Sequence, residues 1–422
     1  MKAFVSQSEL KGTVDLPPSK SMMQRACALA LLHKGNTFIS NPGTSGDDEA
    51  ALQIIASLGA TVIRKNNRIH IQSSGIVNAP ETVFCGESGL SLRMFAPLIS
   101  LAGKHCIIDG TGSLLNRKID FFDSISGKLG ASFKTHNGFL PLHVNGKFVA
   151  EDLHINASES SQYLTGLLFA FAYRAKERRI IKVDGLVSKP YVEMSLQMLQ
   201  HFGYHIECFN YCEFIIHPSE PVAEDIYVQI ESDWSAASYF IVAAALYGDL
   251  TIRNLKLDSC QADRAILEVL NRCGVEYEFS DNVLLVKKCV HLLPFSFDAT
   301  DCPDLFPSLV VLAMHAEGRS TIKGVSRLFN KESDRAAAIM SEFGALGASI
   351  SIEDDVMHIE GGKELHQAEV HTHYDHRMAM ALSIAGIGVH QGISIEDVES
   401  VSKSFPVFFE VLKACGGNVT LP

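Results

Sequence analysis

The sequence predicts an α/β protein with two domains and six repeats. The main indication is a recurring pattern, in which a helix-like apolar stretch reaches a glycine and a strand-like run follows. Successive pattern glycines are separated by 71, 73, 71, 73 and 69 residues, and they are Gly59, Gly130, Gly203, Gly274, Gly347 and Gly416. Such a period indicates one supersecondary unit copied along the chain. A chain of 422 residues also exceeds what one hydrophobic core usually supports, which predicts two domains.

The sequence of each repeat predicts a helix that ends at a glycine and is followed by a pair of strands. In the first repeat, a helical apolar stripe ends at Gly59, which suits the left-handed position just past a helix. The runs 61–63 and 68–71 then predict a hairpin that turns at residues 66–67. Similar turns are predicted in the fourth and fifth repeats, at 281–282 and 354–355. Helices that alternate with strands place the protein in the α/β class, with three repeats in each half.

The composition is that of a folded globular protein, with 47% apolar and 20% charged residues. A net charge of −12 disfavours nucleic acid or an anionic membrane as the main partner. The first residues turn polar too soon for a signal peptide, and the longest apolar stretch, 236–247, is short for a bilayer and predicts a buried helix. Ten scattered cysteines without a Cys-x-x-Cys pair favour reduced thiols and a cytoplasmic location.

A basic segment begins a predicted helix after the prolines at 17–18. Ser19 is a suitable N-cap, so Lys20, Ser21 and Arg25 fall in the first turns. Free backbone N–H groups and the positive end of the helix dipole favour an anion there. Cations are unfavourable for the helix start itself, so we interpret them as ligand-binding residues. The alternative is an exposed basic turn.

Three further segments have weaker patterns. The segment 85–93 contains Gly89 and Arg93 in a glycine-containing turn before a helix, where an anion can approach the backbone. The hydroxyl cluster 158–162 and the segment 188–191 also fit ordinary helix N-caps. None of these segments decides a function alone.

The segment 330–335 carries four charges before a predicted helix at 336–343. A solvated helix start explains it as well as a buried site does. In the buried alternative, Lys331 and Arg335 share a helical face and flank a carboxylate, such as Glu332, that transfers protons.

The run from His371 to His376 has the His-x-His-x-Asp-His spacing of metallo-β-lactamase-like hydrolases, in which His371, His373, Asp375 and His376 would bind zinc. Only one further histidine follows, and Arg377 places a cation beside the supposed metal. A zinc hydrolase is therefore kept only as an alternative.

Taken in order, these segments resemble the 5-enolpyruvylshikimate-3-phosphate synthase family over essentially the whole chain. The resemblance rests on Pro18-Ser19-Lys20-Ser21 with Arg25, Ser160-Ser161-Gln162, Ser188-Lys189-Pro190-Tyr191, Lys331-Glu332-Ser333-Asp334-Arg335 and Asp375-His376-Arg377-Met378-Ala379-Met380. It implies a two-domain enolpyruvyl transferase-like fold of six βαβαββ-type units, three per domain, with the active site in the interdomain cleft. Domain one would be 1–17 plus 231–422, on the phosphoenolpyruvate side, and domain two 18–230, on the shikimate 3-phosphate side.

The resemblance also implies an activity. The enolpyruvyl group of phosphoenolpyruvate would move to the 5-hydroxyl of shikimate 3-phosphate through a tetrahedral ketal, with release of phosphate. Both substrates are small polyanions, which fits a site rich in cations. The family implies no metal, no organic cofactor and a monomer, and the net charge disfavours a nucleic-acid or membrane partner.

Residue roles follow from the same resemblance. Asp304 would take the proton of the 5-hydroxyl, and Glu332 would protonate the vinyl carbon with assistance from Lys20. Shikimate 3-phosphate would be bound by Lys20, Ser21, Arg25, Ser160, Ser161, Gln162, Ser188, Tyr191, Asp304, Arg327 and Lys331. Phosphoenolpyruvate would be bound by Lys20, Gly89, Arg93, Arg117, Gln162, Arg335, Arg377 and Lys403.

The chain departs from the family pattern at several positions. Glu87 and Leu90 stand in the segment 86–90, which in the family is commonly Gly-Asn-Ala-Gly-Thr. Glu87 would bring negative charge near the carboxylate of phosphoenolpyruvate unless it faces away or pairs with a cation. The response to glyphosate is left open by these two residues. Lys118 stands where proline is usual, and Arg327 stands where asparagine is frequent. Trp234 stands at a hinge turn that normally consists of small residues.

Two alternatives share the fold. One transfers enolpyruvyl to UDP-N-acetylglucosamine, but that enzyme lacks the Pro-Ser-Lys-Ser start and has a reactive cysteine in a loop that here, at 114–117, has none. The other is a non-catalytic binding protein. The joint presence of Lys20, Asp304, Glu332 and Lys403 disfavours it, because a binder has no use for two proton-transfer carboxylates.

Overall fold

The computed structural model describes residues 1–219, 222 and 224–421. Residues 220, 221 and 223, within the expected domain two, and residue 422, at the end of the expected domain one, lie outside the described residues. The chain forms two compact units. We call Met1–Pro17 with Glu231–Pro422 the split half, and Pro18–Ile230 the continuous half.

The described residues form twelve α-helices and five short 3-10 helices. The α-helices are α1 Lys20–Leu32, α2 Gly46–Ser57, α3 Gly89–Ser100, α4 Phe121–Ile125, α5 Ser161–Arg174, α6 Lys189–His201, α7 Trp234–Tyr247, α8 Ile266–Cys273, α9 Phe306–His315, α10 Arg335–Ala345, α11 His376–Gly386 and α12 Phe408–Ala414. The 3-10 helices are Gly112–Asn116, Ala262–Ala265, Pro303–Leu305, Val325–Leu328 and Val398–Lys403. In the part of the chain that is described, no helix combines the length and the apolar character that crossing a membrane requires.

Twenty-four strands are described. They are β1 Lys2–Ser6, β2 Leu10–Asp15, β3 Lys34–Ser40, β4 Thr61–Lys65, β5 Arg68–Ser74, β6 Thr82–Phe84, β7 Cys106–Asp109, β8 Ala131–His136, β9 Phe139–Gly146, β10 Leu153–Asn156, β11 Arg179–Asp184, β12 Ile206–Phe209, β13 Glu213–Ile216, β14 Ile226–Gln229, β15 Gly248–Arg253, β16 Tyr277–Ser280, β17 Val283–Val286, β18 Ser296–Asp298, β19 Arg319–Lys323, β20 Ser349–Glu353, β21 Val356–Glu360, β22 Glu369–His371, β23 Ile393–Glu396 and β24 Asn418–Thr420.

These strands form six four-stranded sheets with one topology. The strand orders are β14-β3-β5-β4, β6-β7-β9-β8, β10-β11-β13-β12, β2-β15-β17-β16, β18-β19-β21-β20 and β22-β23-β1-β24. In each sheet the first pair in this order is parallel and the other two pairs are antiparallel. The predicted α/β class and sixfold repeat are therefore confirmed.

Five of the six pattern glycines end helices, Gly130 lies five residues beyond the end of α4, and all six lead into edge strands. All six have positive φ angles, between 68° and 114°. The strand that follows each glycine is one of the two edge strands of its sheet. These strands are β4, β8, β12, β16, β20 and β24. Because glycine has no Cβ, it adopts this conformation at little steric cost and turns the chain out of the helix.

The predicted hairpin of the first repeat is present as β4 and β5. These strands pair antiparallel with Lys65 opposite Arg68, which leaves Asn66 and Asn67 as the turn. Asn66 has a φ of 55°, a left-handed value that asparagine tolerates better than most residues.

Six helices, one from each repeat, are buried along most or all of their length. In the continuous half they are α1, α3 and α5, and in the split half they are α7, α9 and α11. The stretch predicted as a buried helix is α7, in which every residue is buried. In the split half α7, α9 and α11 all pack on one another, and in the continuous half α3 packs on both α1 and α5.

Candidate active site

Several of the sequence-predicted site residues lie at the first turns of the buried helices or shortly before them. In the continuous half, Lys20 begins α1, Gly89 begins α3, and Ser161 begins α5. In the split half, Asp304 lies in the short 3-10 helix that leads into α9, and Arg377 lies in the first turn of α11. Unsatisfied backbone N–H groups at such helix starts attract anions, so each half gathers several anion-binding positions.

Lys20 is held by a carboxylate that the sequence analysis missed. Its Nζ lies 2.9 Å from Oδ2 of Asp47, and both side chains are largely buried. Asp47 lies in the first turn of α2, where Ser45 and Asp48 form a capping box. Burial raises the pKa of Asp48 to about 7, so α2 begins with two acidic groups in different environments.

Ser19 occupies the N-cap position of α1, as predicted, but its side chain makes no capping hydrogen bond. The start of α1 is instead fixed to α3 through Gln24. The hydroxyls of Ser88 and Ser91 donate to Oε1 of Gln24 at 2.9 and 3.0 Å. Ser88 is the N-cap of α3 and also accepts from the backbone N–H of Ser91. These bonds align the first turns of the two helices.

Two arginines surround Gly89. A Cβ placed on this residue would lie 2.8 Å from Nη1 of Arg93 and 2.8 Å from Nη1 of Arg117. Nη1 of Arg93 donates to Oε1 of Gln162 at 3.0 Å. The structure thus brings together four residues predicted to bind phosphoenolpyruvate, and a side chain at position 89 would force the two guanidinium groups to move.

Glu87 accepts hydrogen bonds from the loop that precedes Arg117. The backbone N–H and the hydroxyl of Ser113 donate to its Oε2 at 3.0 and 3.1 Å. Glu87 therefore helps to position this loop. These hydrogen bonds give a structural role to the negative charge that stands where the family pattern commonly has asparagine. Leu90, the other departure in this segment, is buried.

Arg25 joins α1 to α6. Its Nε donates to the hydroxyl of Ser195 at 2.8 Å, Nη1 to the carbonyl of Ser21 at 2.8 Å, and Nη2 to the carbonyl of Tyr191 at 3.1 Å. Only 1% of this residue is exposed. The structure brings Ser21, Arg25 and Tyr191 together, and the guanidinium is fixed before any ligand arrives.

The predicted serines begin two helices. Ser160 is the N-cap of α5, where its Oγ accepts from the backbone N–H of Gln162 at 3.3 Å, and Ser161 is the first helical residue. Ser188 precedes α6 with φ 54° and ψ 47°. A left-handed serine costs about 1–2 kcal/mol, and such outliers cluster at functional sites.

Arg335 is the centre of the ionic cluster in the split half. It is fully buried, and its Nε and Nη2 donate to the two carboxylate oxygens of Asp375 at 2.9 and 3.3 Å. Nη1 lies 3.1 Å from Oδ1 of Asp304, and Nη2 lies 2.8 Å from Oε2 of Glu332. Burial opposes the charged form, but these three carboxylates raise the pKa of Arg335 further.

Asp304 contacts two further cations. Nη2 of Arg377 lies 2.8 Å from its Oδ2, and Nζ of Lys331 lies 3.4 Å from its Oδ1. Burial favours the protonated form, yet Arg377, Lys331 and Arg335 together hold the pKa of Asp304 well below its usual range. Asp304 is therefore an ionised carboxylate among three cations.

The prediction that Lys331 and Arg335 share a helical face was wrong. Helix α10 begins at Arg335, because the side chain of Asp334 caps it by accepting from the backbone N–H of Ala337. Lys331 precedes the helix, and the two cations meet at Asp304 instead. Burial lowers the pKa of Lys331, the Asp304 carboxylate opposes this effect, and the positive charges of Arg335 and Arg327 add to the lowering.

The zinc-binding alternative is disfavoured by the partners of three of its four residues. Nδ1 of His371 lies 3.2 Å from Glu396, and Nε2 of His373 lies 2.8 Å from Glu342. Asp375 binds Arg335 and caps α11 by accepting from the backbone N–H of Arg377 at 2.9 Å. Within the described residues, this segment forms no group of three ligand atoms close enough to hold a metal ion.

Lys403 completes the predicted set in the split half. Its Nζ donates to the carbonyl of Tyr374 at 2.8 Å. His373 and Tyr374 both have positive φ angles, 53° and 55°, so this carbonyl belongs to a strained turn before α11.

Two buried groups beside this cluster were missed in the sequence. The side chain of Asp263 is fully buried and accepts from the hydroxyl of Ser235. Burial is the main cause that raises the pKa of Asp263 to about 7, and the negative charge of Asp304 adds to this effect. Burial likewise raises the pKa of Tyr239, which lies close to Arg377. No motif spacing marks these residues, because only the packing of α7 brings them to the cluster.

Trp234 does not lie in a turn of small residues but begins α7. It is fully buried, its Nε1 donates to the carbonyl of Lys256 at 3.2 Å, and its ring stacks on Phe279 with centroids 6.4 Å apart. The ring therefore belongs to the core of the split half.

Comparison with known proteins identifies the family. The family model that matches residues 5–412 is described as EPSP synthase (3-phosphoshikimate 1-carboxyvinyltransferase). The chain belongs to the EPSP synthase family. This result confirms the resemblance drawn from the motifs.

Curated relatives of this family match along the whole chain. The 3-phosphoshikimate 1-carboxyvinyltransferase of Clostridium beijerinckii is 34% identical over 421 residues, covering 97% of this chain and 96% of that protein. The protein of the same name from Clostridioides difficile is 36% identical over 427 residues, with coverages of 98% and 97%. The EPSP synthase family therefore accounts for both halves.

Solved structures show the same fold. An EPSP synthase from Acinetobacter baumannii matches with a TM-score of 0.82 and 23% identity, covering 99% of both chains. The enolpyruvyl transferase NikO from Streptomyces tendae matches with a TM-score of 0.78 and 16% identity, covering 99% of this chain and 98% of that one. The sequence-predicted enolpyruvyl transferase-like fold is confirmed by these matches.

Proposed function

We propose that this enzyme transfers the enolpyruvyl group of phosphoenolpyruvate to the 5-hydroxyl of shikimate 3-phosphate and releases phosphate. Membership of the EPSP synthase family supports this activity. The observation that carries the mechanism is the position of Asp304, an ionised carboxylate within 3.4 Å of cationic atoms of Lys331, Arg335 and Arg377. A base surrounded by cations suits a reaction that joins two anions.

Phosphoenolpyruvate is assigned to the guanidinium groups around Gly89 and to cations of the split half. Arg93 and Arg117 offer planar forks that match phosphate and carboxylate oxygens. Arg335, Arg377 and Lys403 are the predicted partners in the split half, with Lys20 and Gln162 completing the set. Arg335 is already bound by three carboxylates, so a substrate contact requires it to exchange one of them.

Shikimate 3-phosphate is assigned mainly to the continuous half. Hydroxyl and amide groups there stand at the starts of α1, α5 and α6, where helix dipoles favour the phosphate. They are Lys20, Ser21, Arg25, Ser160, Ser161, Gln162, Ser188 and Tyr191. Asp304, Arg327 and Lys331 of the split half complete the assigned set.

Asp304 takes the proton of the 5-hydroxyl. In the ligand-free protein three cations depress its pKa and make it a weak base. A bound substrate anion offsets the charges of Arg377 and Lys331, which raises the pKa of Asp304 toward a useful value. Substrate binding thus activates the base.

Glu332 protonates the vinyl carbon, assisted by Lys20. Its contact with Arg335 favours the ionised carboxylate, so engagement of Arg335 by substrate also makes protonation of Glu332 easier. Protonation produces an oxocarbenium-like centre, the 5-oxygen adds to it, and a tetrahedral ketal results. The C–O bond to phosphate then breaks as a methyl proton is withdrawn, which restores the double bond. These steps use proton transfer and fixed cations, and we assign no cofactor to them.

We also infer that the protein acts as a monomer in the cytoplasm, on small anionic substrates and without a nucleic-acid or membrane partner. The net charge of −12 supports the absence of a nucleic-acid or membrane partner, since it disfavours binding to polyanionic surfaces. The ten cysteines, all free in the structure, fit a reducing compartment.

The deciding experiment measures phosphate release from phosphoenolpyruvate by the purified protein. Release that depends on added shikimate 3-phosphate is expected, and a reaction without it is the control. A parallel reaction with UDP-N-acetylglucosamine tests the other activity of this fold. Release only with the nucleotide sugar, or with neither acceptor, would overturn the proposed function.

A further inference from the structure

Two histidines and a glutamate converge on one hairpin of the continuous half, and none of them belongs to the predicted site motifs. His205 directly precedes β12, Glu207 lies within β12, and His217 directly follows β13. They are the one group of three His, Cys, Asp or Glu side chains in the described part of the chain whose ligand atoms all lie within 4.8 Å of one another.

The backbone pairing places these side chains on one face. Residues two apart on a strand point to the same side of the sheet, which aligns His205 with Glu207. Strands β12 and β13 pair antiparallel with Ile206 opposite Ile216, and the backbone N–H of His217 donates to the carbonyl of His205 at 3.1 Å. His217 therefore faces His205 across the hairpin, and its side chain lies beside Glu207.

The distances are close to those of a tetrahedral metal site. Nε2 of His217 lies 2.7 Å from Oε1 of Glu207, and Nε2 of His205 lies 3.8 Å from the same oxygen. Bonds of about 2.0–2.1 Å to a tetrahedral zinc ion separate ligand atoms by roughly 3.3 Å. Small side-chain rotations would equalise the two observed distances.

An ion pair alone does not account for the arrangement. A contact between Glu207 and His217 needs only those two residues, yet the ring of His205 stacks on His217 with centroids 4.7 Å apart. The side chain of His205 is 68% exposed, so burial does not hold it in this position. Two stacked imidazoles that turn Nε2 toward a shared carboxylate oxygen form an open chelating group.

We propose that His205, Glu207 and His217 bind a divalent transition-metal ion, and that this ion is zinc. Two imidazoles and one carboxylate are a ligand set that zinc accepts, with a fourth position open to water. The open side faces solvent, since all three side chains are partly exposed. The ion would cross-link edge strand β12 to β13, and this site is separate from the proposed enolpyruvyl transfer.

The first test is a zinc titration of the full-length protein, freed of any purification tag and of metal. One zinc ion per chain is expected to bind near neutral pH. His205→Gln and His217→Gln are each expected to weaken binding by about tenfold or more, since even outer-shell losses cost this much. The matched control is His154→Gln, because Nε2 of His154 also contacts a carboxylate, Asp184 at 2.8 Å, in an exposed two-residue pair.

Cobalt substitution distinguishes a specific three-ligand site from non-specific metal binding by surface histidines. Cobalt at the site is expected to show the strong visible absorption of tetrahedral coordination, and Glu207→Gln is expected to change that spectrum. No zinc binding by the wild-type protein, or equal binding by the His217→Gln and His154→Gln variants, would refute the proposal. All these readouts are independent of transferase activity.

Discussion

Arg335 and Asp375 form a fully buried ion pair, with Nε of the arginine 2.9 Å from Oδ2 of the aspartate. The pair joins the first residue of α10 to the N-cap of α11. Sequence patterns assigned Arg335 to a substrate and Asp375 only to a hypothetical zinc ion. The contact shows that Asp375 instead neutralises and orients the arginine on which the ionic cluster is centred.

Asp375→Asn is expected to destabilise the ligand-free protein by about 3 kcal/mol, because it leaves a buried arginine with one fewer countercharge. Urea unfolding measures this change. Glu268→Gln, which removes an exposed ion pair with Arg272, is the control and is expected to change stability little. Equal stability of the Asp375→Asn variant and the wild type would show that Asp304 and Glu332 suffice to neutralise Arg335.

Glu332→Gln is expected to lower kcat by at least about 100-fold while binding of shikimate 3-phosphate is kept, because the variant lacks a general acid. Steady-state phosphate release and a separate titration with shikimate 3-phosphate measure the two effects. The matched control is Asp334→Asn, which removes a charge two residues away but keeps an N-cap residue for α10. Near-normal turnover of the Glu332→Gln variant would remove Glu332 from the mechanism.

Gly89→Ala is expected to raise KM for phosphoenolpyruvate by about tenfold, equivalent to ~1.4 kcal/mol. The new Cβ would lie 2.8 Å from both Arg93 and Arg117 and would push these guanidinium groups apart. KM for shikimate 3-phosphate should change much less. Gly344→Ala is the control, because a Cβ there meets no atom within 4 Å of the described structure and favours the helix. Unchanged kinetics in Gly89→Ala would mean that the arginines relax without loss.

Asp263 is expected to make stability depend on pH. Its pKa is about 7 in the folded protein and about 4 in an unfolded chain, so between these values the folded state binds more protons. The free energy of unfolding should therefore fall as pH rises from about 4 to 7, and Asp263→Asn should remove that fall. The variant should gain stability relative to the wild type between pH 5 and pH 8.

Urea unfolding of both proteins at several pH values checks this expectation. Asp258→Asn serves as the control, because Asp258 is an exposed residue of the same region. A difference between Asp263→Asn and the wild type that stays constant from pH 5 to pH 8 would contradict the assignment.

The sequence by itself determined the repeat architecture, because the relevant interactions are local. A glycine such as Gly59 ends a helix through its own backbone freedom, and residues 66–67 turn the chain through theirs. The same local rules placed Lys20 and Gly89 at helix starts. Six copies of one pattern then specified six copies of one sheet.

The tertiary structure decided which charges meet. Asp304 contacts Arg377, 73 positions further along the chain, because the first turns of α9 and α11 pack together. Neither a motif nor a spacing predicts that Asp263 lies beside this cluster, or that His205 and His217 face each other across a hairpin. Charge pairing acts through space and depends on burial, so these contacts exist only once the helices and strands have packed.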